Sequence, residues 1–358
     1  MHVAPTPCKA TREPVDIADR LMGVLLGTAV GDALGLPMEG MRASAIGRLF
    51  PKLDRYRMLG ATGFVSDDTE QSALVAQSLA RHPGERERCV RAFRFALLGW
   101  FLRLPWGIGF GTLRACVRIA FGLRKSGVAS AGNGAAMRAA IVGAFFFDLP
   151  KAARHEWSDA LARVTHTDAR AVEGARFVAE LAARCVELGP LAVSPAVAMD
   201  ACHVVTEPSL RGAIEHAIAR SHEDVGAEAA AIEIGTTGFV LHSVAIATFC
   251  FLRFGHDPGL AVAQAVRAGG DTDSNAAIVG AWMGAAHGLS GLPGSMVRDL
   301  QSGPFGRRHL EALGGDLLRA REGSARRVAA YSWPVALVRN LALYPIVLLH
   351  AFRVVGRR

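Results

Sequence analysis

DIADRLMGVLLGTAVGDALG, Asp16 to Gly35, is the stretch whose reading decides the fold. Ile17, Leu21, Leu25 and Thr28 recur on one side of a helix, while Gly23, Gly27, Gly31 and Gly35 stand four residues apart. An interior glycine costs a helix about 0.5–1 kcal/mol relative to alanine, so a row of them needs a compensating reason. Glycines at this spacing share one face and let another backbone approach closely. The same spacing returns at Gly280, Gly284 and Gly288. We therefore expect these two helices to pack together, which would bring Glu39, just past the helix stop at Pro37, toward Asp271.

Asp271 opens the most oxygen-rich run of the chain, Gly269-Gly270-Asp271-Thr272-Asp273-Ser274-Asn275, directly ahead of a helical run from Ala276 to Ala286. A calcium loop starting at Asp271 requires Gly at its sixth position and Glu at its twelfth, and those positions hold Ala276 and Trp282. An aspartyl nucleophile at the end of a buried strand wants a continuous apolar run before it, and Ala268-Gly269-Gly270 is no such run. Two readings stay open: a hard-cation site at a helix start, or a helix cap that uses Asp and Ser to accept from free backbone N–H groups. Ser66-Asp67-Asp68-Thr69 poses the same choice, with Asp67 and Glu70 at capping-box spacing.

The chain has 358 residues, enough for a sizeable core, with 51% hydrophobic and 20% charged residues, a globular balance. A net charge of +8 suits an anionic partner. The arginines scatter along helical runs without interleaved aromatic platforms, so nucleic-acid binding is not the favoured reading. Six cysteines lie far apart with no CxxC pair, which fits a reducing cytoplasm better than a disulfide framework. No apolar segment follows the first basic residues, so no secretion signal is expected.

Strand signals are few, and an all-α, compact single-domain helical bundle of orthogonal packing is expected over residues 16–294, behind a flexible lead-in at 1–15. Neither GxGxxG nor GxxxxGK[ST] occurs, so no dinucleotide or P-loop fold is expected. Ser130 to Arg138 reads as a glycine-rich turn entering a helix; it is either a plain Asn-Gly turn or a phosphate cradle to which Arg138 adds charge. His166 reads as a solvated loop histidine and His242 as a core one. Residues 295–358 read as a basic helical extension. Its longest uncharged run, Leu341 to Phe352, contains Pro345 and falls short of the ~17–25 residues of a membrane span. An apolar strip packed on the body is expected there, with membrane contact by the tail the less favoured reading.

The acidic clusters are weak singly and stronger as a set. Glu39, Ser66-Asp67-Asp68 and Asp271-Thr272-Asp273-Ser274 offer carboxylates and hydroxyls at helix ends. Gathered together, their charges would repel without a cation between them, and all-oxygen ligation suits Mg²⁺ or Mn²⁺ over Zn²⁺. Here the chain resembles the ADP-ribosylglycohydrolase family, whose type member removes ADP-ribose from dinitrogenase reductase. The likeness is carried in order by GVLLGTAVGDALGLPMEG from Gly23, SDDTEQSAL from Ser66, SAGNGAAMRAA from Ser130, THTDARAVEGA from Thr165 and AGGDTDSNAAIVGAWMGAAHG from Ala268.

The resemblance implies the compact all-α fold of that family and two Mg²⁺ or Mn²⁺ ions held by Ser66, Asp67, Asp68, Asp271, Asp273 and Ser274. It implies catalytic roles for Glu39, Asp68 and Asp273. Asp67, His166 and the loop Gly132, Asn133, Gly134, Ala135, Ala136 and Met137 would contact substrate. The partner implied is an ADP-ribosylated protein or a small-molecule ADP-ribose conjugate, and the reaction is hydrolysis of its N- or O-glycosidic bond. A non-catalytic ADP-ribose-binding protein and a dinuclear phosphohydrolase acting on nucleotides are the alternatives. One departure bears on which bond is cleaved: arginine-specific relatives often carry an Asp ahead of an Ile-Gly pair, where this chain has Gly107.

Overall fold

In the computed structural model, which describes residues 15–324 and 327–355, the glycine-striped run forms helix α1 (Ile17–Gly35). The Asp16 carboxylate caps it by accepting from the Asp19 N–H at 3.0 Å, which satisfies one of the donors that a helix start leaves free. Every residue from Gly23 to Gly35 is buried, so α1 needs no polar face.

The other helices that frame the site are α2 (Asp67–Arg81), α3 (Arg86–Phe101), α4 (Phe110–Ala120), α5 (Ala169–Leu188), α6 (Val240–Phe254), α7 (Thr272–His287), α8 (Arg307–Arg321) and α9 (Trp333–Val355). Shorter helices connect them. Among the described residues β pairing is limited to isolated bridges, such as Val128 with His166 and Gly132 with Phe239. The fold is all-α, as expected.

α1 and α7 lie antiparallel with their backbones in contact. A Cβ on Gly31 would overlap the Ala276 carbonyl, one on Gly27 the Gly280 carbonyl, and one on Gly284 the Gly23 carbonyl. This is the compensating reason for the stripe: the glycines weaken each helix alone and permit a separation that side chains forbid. Thr272 Oγ1 donates to the Gly35 carbonyl at 2.9 Å and pins the start of α7 to the end of α1. Behind the seam, Trp282 is fully buried edge-on to Phe177 and Phe251, and its Nε1 donates to the Val178 carbonyl at 3.0 Å.

α8, within the stretch read as an extension, lies across α1 and α2 with Leu310, Leu313 and Leu317 in the common core. α9 lies on the body as the strip was expected to, with Ala336 and Leu343 buried, but polar side chains share its inward face. Asn340 Nδ2 donates to the Arg103 carbonyl at 2.9 Å, and His350 Nε2 lies 2.9 Å from the Pro37 carbonyl. Backbone carbonyls left without helical partners attract these groups, and several apolar side chains, Val338 and Leu341 among them, stay exposed. The lead-in through Pro14 and the last three residues, Arg357 and Arg358 among them, lie outside the described residues.

Candidate active site

The end of the α1–α7 seam meets the start of α2, and the two readings of its acidic runs separate there. Ser66 is the N-cap of α2, its Oγ accepting from the Asp68 N–H at 3.4 Å. Asp67 is thus the first helical residue and not the cap; its Oδ2 accepts from Gln71 Nε2 at 3.0 Å. Glu70 completes no capping box, because its carboxylate turns away to accept from Trp100 Nε1 at 2.6 Å and to pair with Arg339 of α9. Asp271 occupies the cap position of α7, yet its side chain bonds no helix N–H. Its Oδ2 accepts from Asn133 Nδ2 at 2.7 Å instead. Capping accounts for Ser66 and for none of the aspartates.

Asp32, on α1, is a site residue that the motif reading passed over. Both its oxygens accept from the Ser66 N–H, at 3.0 and 2.9 Å, and Oδ2 also takes the Thr69 N–H at 3.1 Å and the Thr69 hydroxyl at 2.5 Å. A carboxylate from a neighbouring helix thereby satisfies the free donors at the start of α2 and fixes Asp67 and Asp68 relative to α1. Its signal was available: Asp32 is the single charged residue between Arg20 and Glu39.

Ligand oxygens of Asp32, Asp68 and Asp273 lie within 4.8 Å of one another, and Ser274 Oγ donates to Asp68 Oδ2 at 3.2 Å. Burial first, and then the neighbouring carboxylates, raises Asp67, Asp68 and Asp273 well above the ordinary range. Burial pushes Asp32 up to about 6 against the pull of its hydrogen bonds. Glu39 stands exposed at the rim but packed among protein on its other sides; that desolvation, with the charges of Asp271 and Asp32, lifts it to about 7.

A cation fits this cluster. Asp68 Oδ1 and Asp273 Oδ1 are buried with no hydrogen-bond partner, a cost that folded proteins rarely leave standing. The Asp32 oxygens are already engaged, so the open donors are those of Asp68 and Asp273. Carboxylates with hydroxyls from Ser66 and Ser274 make an all-oxygen set of the kind hard divalent ions take.

Above the cluster lies a cleft of about 620 Å³ lined by Glu39, Asp67, Asp271, Asp273 and Ser274 on one side and by Gly132, Asn133, Gly134, Met137 and His166 on the other. The structure thus joins the acidic runs to the glycine-rich loop. Ala135 and Ala136 do not reach the cleft: Asn133–Ala135 is a 3₁₀ turn, and both alanines point into the core. Asn133 Nδ2 also donates to Ser243 Oγ at 2.9 Å. Its N–H donates to the Gly238 carbonyl at 3.0 Å, and the Asp271 N–H donates to the Thr236 carbonyl at 2.7 Å. Thr236 to Gly238, to which the motifs assigned no role, therefore stitches Asp271 to the substrate-side loop.

His166 is buried, not solvated, because Gly111 and Gly134 close against its ring with no room for a Cβ. Burial and the charges of Arg138 and Arg114 lower its pKa to about 3, so it is neutral. Arg138 does not line the cleft. It is buried, donating to Gln71 Oε1 at 2.7 Å and to Thr165 Oγ1 at 2.6 Å, and Thr165 Oγ1 lies 2.7 Å from His166 Nδ1. A chain of contacts thus runs from Asp67 through Gln71, Arg138 and Thr165 to His166. His242 is likewise no core residue: it is half-buried, with Nδ1 2.9 Å from Thr237 Oγ1. Gly107 lies directly on Asp67, where a Cβ would sit 2.6 Å from Oδ1. With φ at +86° as well, the cleft wall here is bare backbone.

The ADP-ribosylglycohydrolase sequence family matches residues 13–327. An uncharacterized protein of Archaeoglobus fulgidus is 32% identical over 278 residues, covering 75% of this chain and 87% of its own length. The ADP-ribosyl-[dinitrogen reductase] glycohydrolase of Rhodospirillum rubrum is 28% identical over 303 residues, covering 79% of this chain and 91% of its own. A solved structure described as an ADP-ribosylglycohydrolase-related protein complex superposes with a TM-score of 0.67 at 28% identity, covering 85% of this chain and 99% of that one.

Proposed function

The chain belongs to the ADP-ribosylglycohydrolase family, and on that premise we propose that it is a metal-dependent hydrolase that releases ADP-ribose from a modified target, ADP-ribosyl-arginine on protein being the first substrate to test. The family supports a glycohydrolase acting on ADP-ribose linkages; the linkage, the metal and the residue roles are our reading. The observation that carries it is the pair of orphaned buried oxygens on Asp68 and Asp273 beneath a cleft rimmed by Glu39.

Two Mg²⁺ or Mn²⁺ ions held by Ser66, Asp67, Asp68, Asp271, Asp273 and Ser274 would supply Lewis acidity at the sugar hydroxyls and lower the pKa of water. The protein's own contributions are separate. Glu39, at the cleft rim and raised by burial and by its acidic neighbours in the metal-free site, is the carboxyl we assign to take or give the proton, as a general acid or base requires. We read the Asp68 and Asp273 oxygens as stabilising the positive charge that would build on the ribose ring. Asn133 orients Asp271, and Gly132 and Gly134 present bare backbone on which a diphosphate can rest. Neutral His166 offers a ring nitrogen without adding a charge. Buried free thiols at Cys89, Cys116, Cys185, Cys202 and Cys250 fit action in a reducing cytoplasm on a modified protein or a small ADP-ribose conjugate.

The test is a product assay on arginine, serine, nucleic-acid and small-molecule ADP-ribose conjugates, with Mg²⁺ or Mn²⁺ added back to stripped protein. Intact ADP-ribose is expected from at least one linkage, and Asp273→Asn should lower its release on the order of a thousandfold. Release of AMP or phosphate, tight binding without release, or undiminished turnover after complete metal removal would each overturn the proposal.

A further inference from the structure

α9 turns polar side chains inward: Arg339 is 11% exposed and paired with Glu70, Asn340 is buried against the Arg103 carbonyl, and His350 is held at the Pro37 carbonyl. Its outward positions carry Val335, Val338, Leu341, Leu348 and Leu349, each more than half exposed. Val335, Val338, Leu341 and Leu348, spaced by three, three and seven residues, share one face, with Leu349 beside Leu348. Leu104, fixed in the left-handed region at φ 52° and 53% exposed, extends this surface where Tyr344 Oη reaches its carbonyl at 3.4 Å. A soluble chain rarely leaves so continuous an apolar face in water.

The charge of the tail narrows what covers it. From Gly323 to Arg358 there is no Asp or Glu, and Arg326 and Arg327 precede the apolar face while Arg353, Arg357 and Arg358 follow it. In sequence, an apolar helix flanked by arginine and free of carboxylates suits the anionic surface of a bilayer. A second copy would bring the same arginines, and another +8, against the first. Residues 1–14 of this chain, rich in Pro and polar side chains, lack the apolar periodicity to cover the face. Nor is α9 placed to cross a membrane, although the window from Trp333 to His350 is long and apolar enough by composition; its inward hydrogen bonds hold it flat on the body.

We propose that the outward face of α9 docks the protein on the surface of anionic membranes, lying in the headgroup interface without spanning it. This rests on the tail alone and stands or falls apart from the catalytic reading.

The test is flotation of the full-length protein with vesicles of phosphatidylcholine alone and of phosphatidylcholine with phosphatidylglycerol. The protein should float with the anionic vesicles, with a roughly tenfold preference over neutral ones that falls with added salt. Val338→Asp with Leu341→Asp, both solvent-facing, should abolish flotation and leave the helical circular dichroism and the ADP-ribose hydrolysis rate unchanged. Absence of flotation, flotation undiminished in the folded double variant, or a monomer–dimer equilibrium that the same variant dissolves without any vesicle binding would overturn it.

Discussion

α1 and α9 are nearly matched in apolar content and opposite in placement. Their most apolar windows have mean hydropathies of 1.5 and 1.3, yet 94% of the first is buried and 17% of the second. Hydropathy counts side chains and not directions; the small residues of α1 and the polar ones of α9 decide the outcome. A glycine stripe makes α1 able to touch another backbone, whereas a stripe of hydrogen-bonding residues makes α9 bind loop carbonyls and present its aliphatic side. Each helix also sinks one charge into the body. Asp32 sits among like charges, which asks for a cation from outside. Arg339 faces Glu70, which closes the account within the chain.

The largest effect that would break this contrast belongs to the seam. Gly27→Val forces a branched side chain into the Gly280 carbonyl, where neither backbone can yield without opening the other contacts, and should cost at least about 3 kcal/mol in urea unfolding. The matched change Val338→Ser on the outward face of α9 should stay within about 0.5 kcal/mol. Equal losses for the two would mean that the backbones of α1 and α7 can separate cheaply.

The seam was legible because glycine spacing reports both the face and the closeness of what meets it. The acidic runs at Ser66 and Asp271 were legible because their oxygens are adjacent in sequence. Asp32 was not, since a single carboxylate has no spacing; only its isolation in an apolar run marks it. Ala135 and Ala136 were assigned to the substrate loop along with their neighbours, but a 3₁₀ turn sends successive residues in different directions, and those two face the core. The burial of His166 and of Arg138 depends on Gly111, Gln71 and Thr165, contacts that no local pattern encodes. The inward turn of Asn340 and His350 was hidden for the same reason: the carbonyls of Arg103 and Pro37 that hold them lie far away in sequence.

A smaller effect sharpens the pairing half of the contrast. Arg339→Met strands Glu70 of α2 with Trp100 Nε1 and, at 3.9 Å, Arg103 Nη2 as its remaining partners. Removing one member of a buried pair leaves an uncompensated charge, and a loss of about 2–3 kcal/mol is expected, below the usual cost because those partners remain. Adding Glu70→Gln should return most of it. A double-mutant cycle with no coupling would show that the ion pair is incidental to how α9 is held.

The smallest effect concerns the unpaired half, and its sign is fixed by the direction of the shifts. Asp32 rises from 3.8 to about 6 and Glu39 from 4.5 to about 7 on folding. The native state therefore holds protons that the unfolded chain has released, and stability present below pH 4 is lost as pH climbs through 6 and 7. Metal-stripped protein should melt progressively lower across that window. Mn²⁺ should restore the melting temperature at pH 7, where the carboxylates are free to bind, and do little at pH 4, where protons hold them. Arg339, lowered by burial to about 10, stays charged throughout and itself contributes no slope. A metal-free melting temperature that is flat from pH 4 to 7 would mean that the end of α1 carries no unbalanced charge, and the case for a cation there would lose its electrostatic basis.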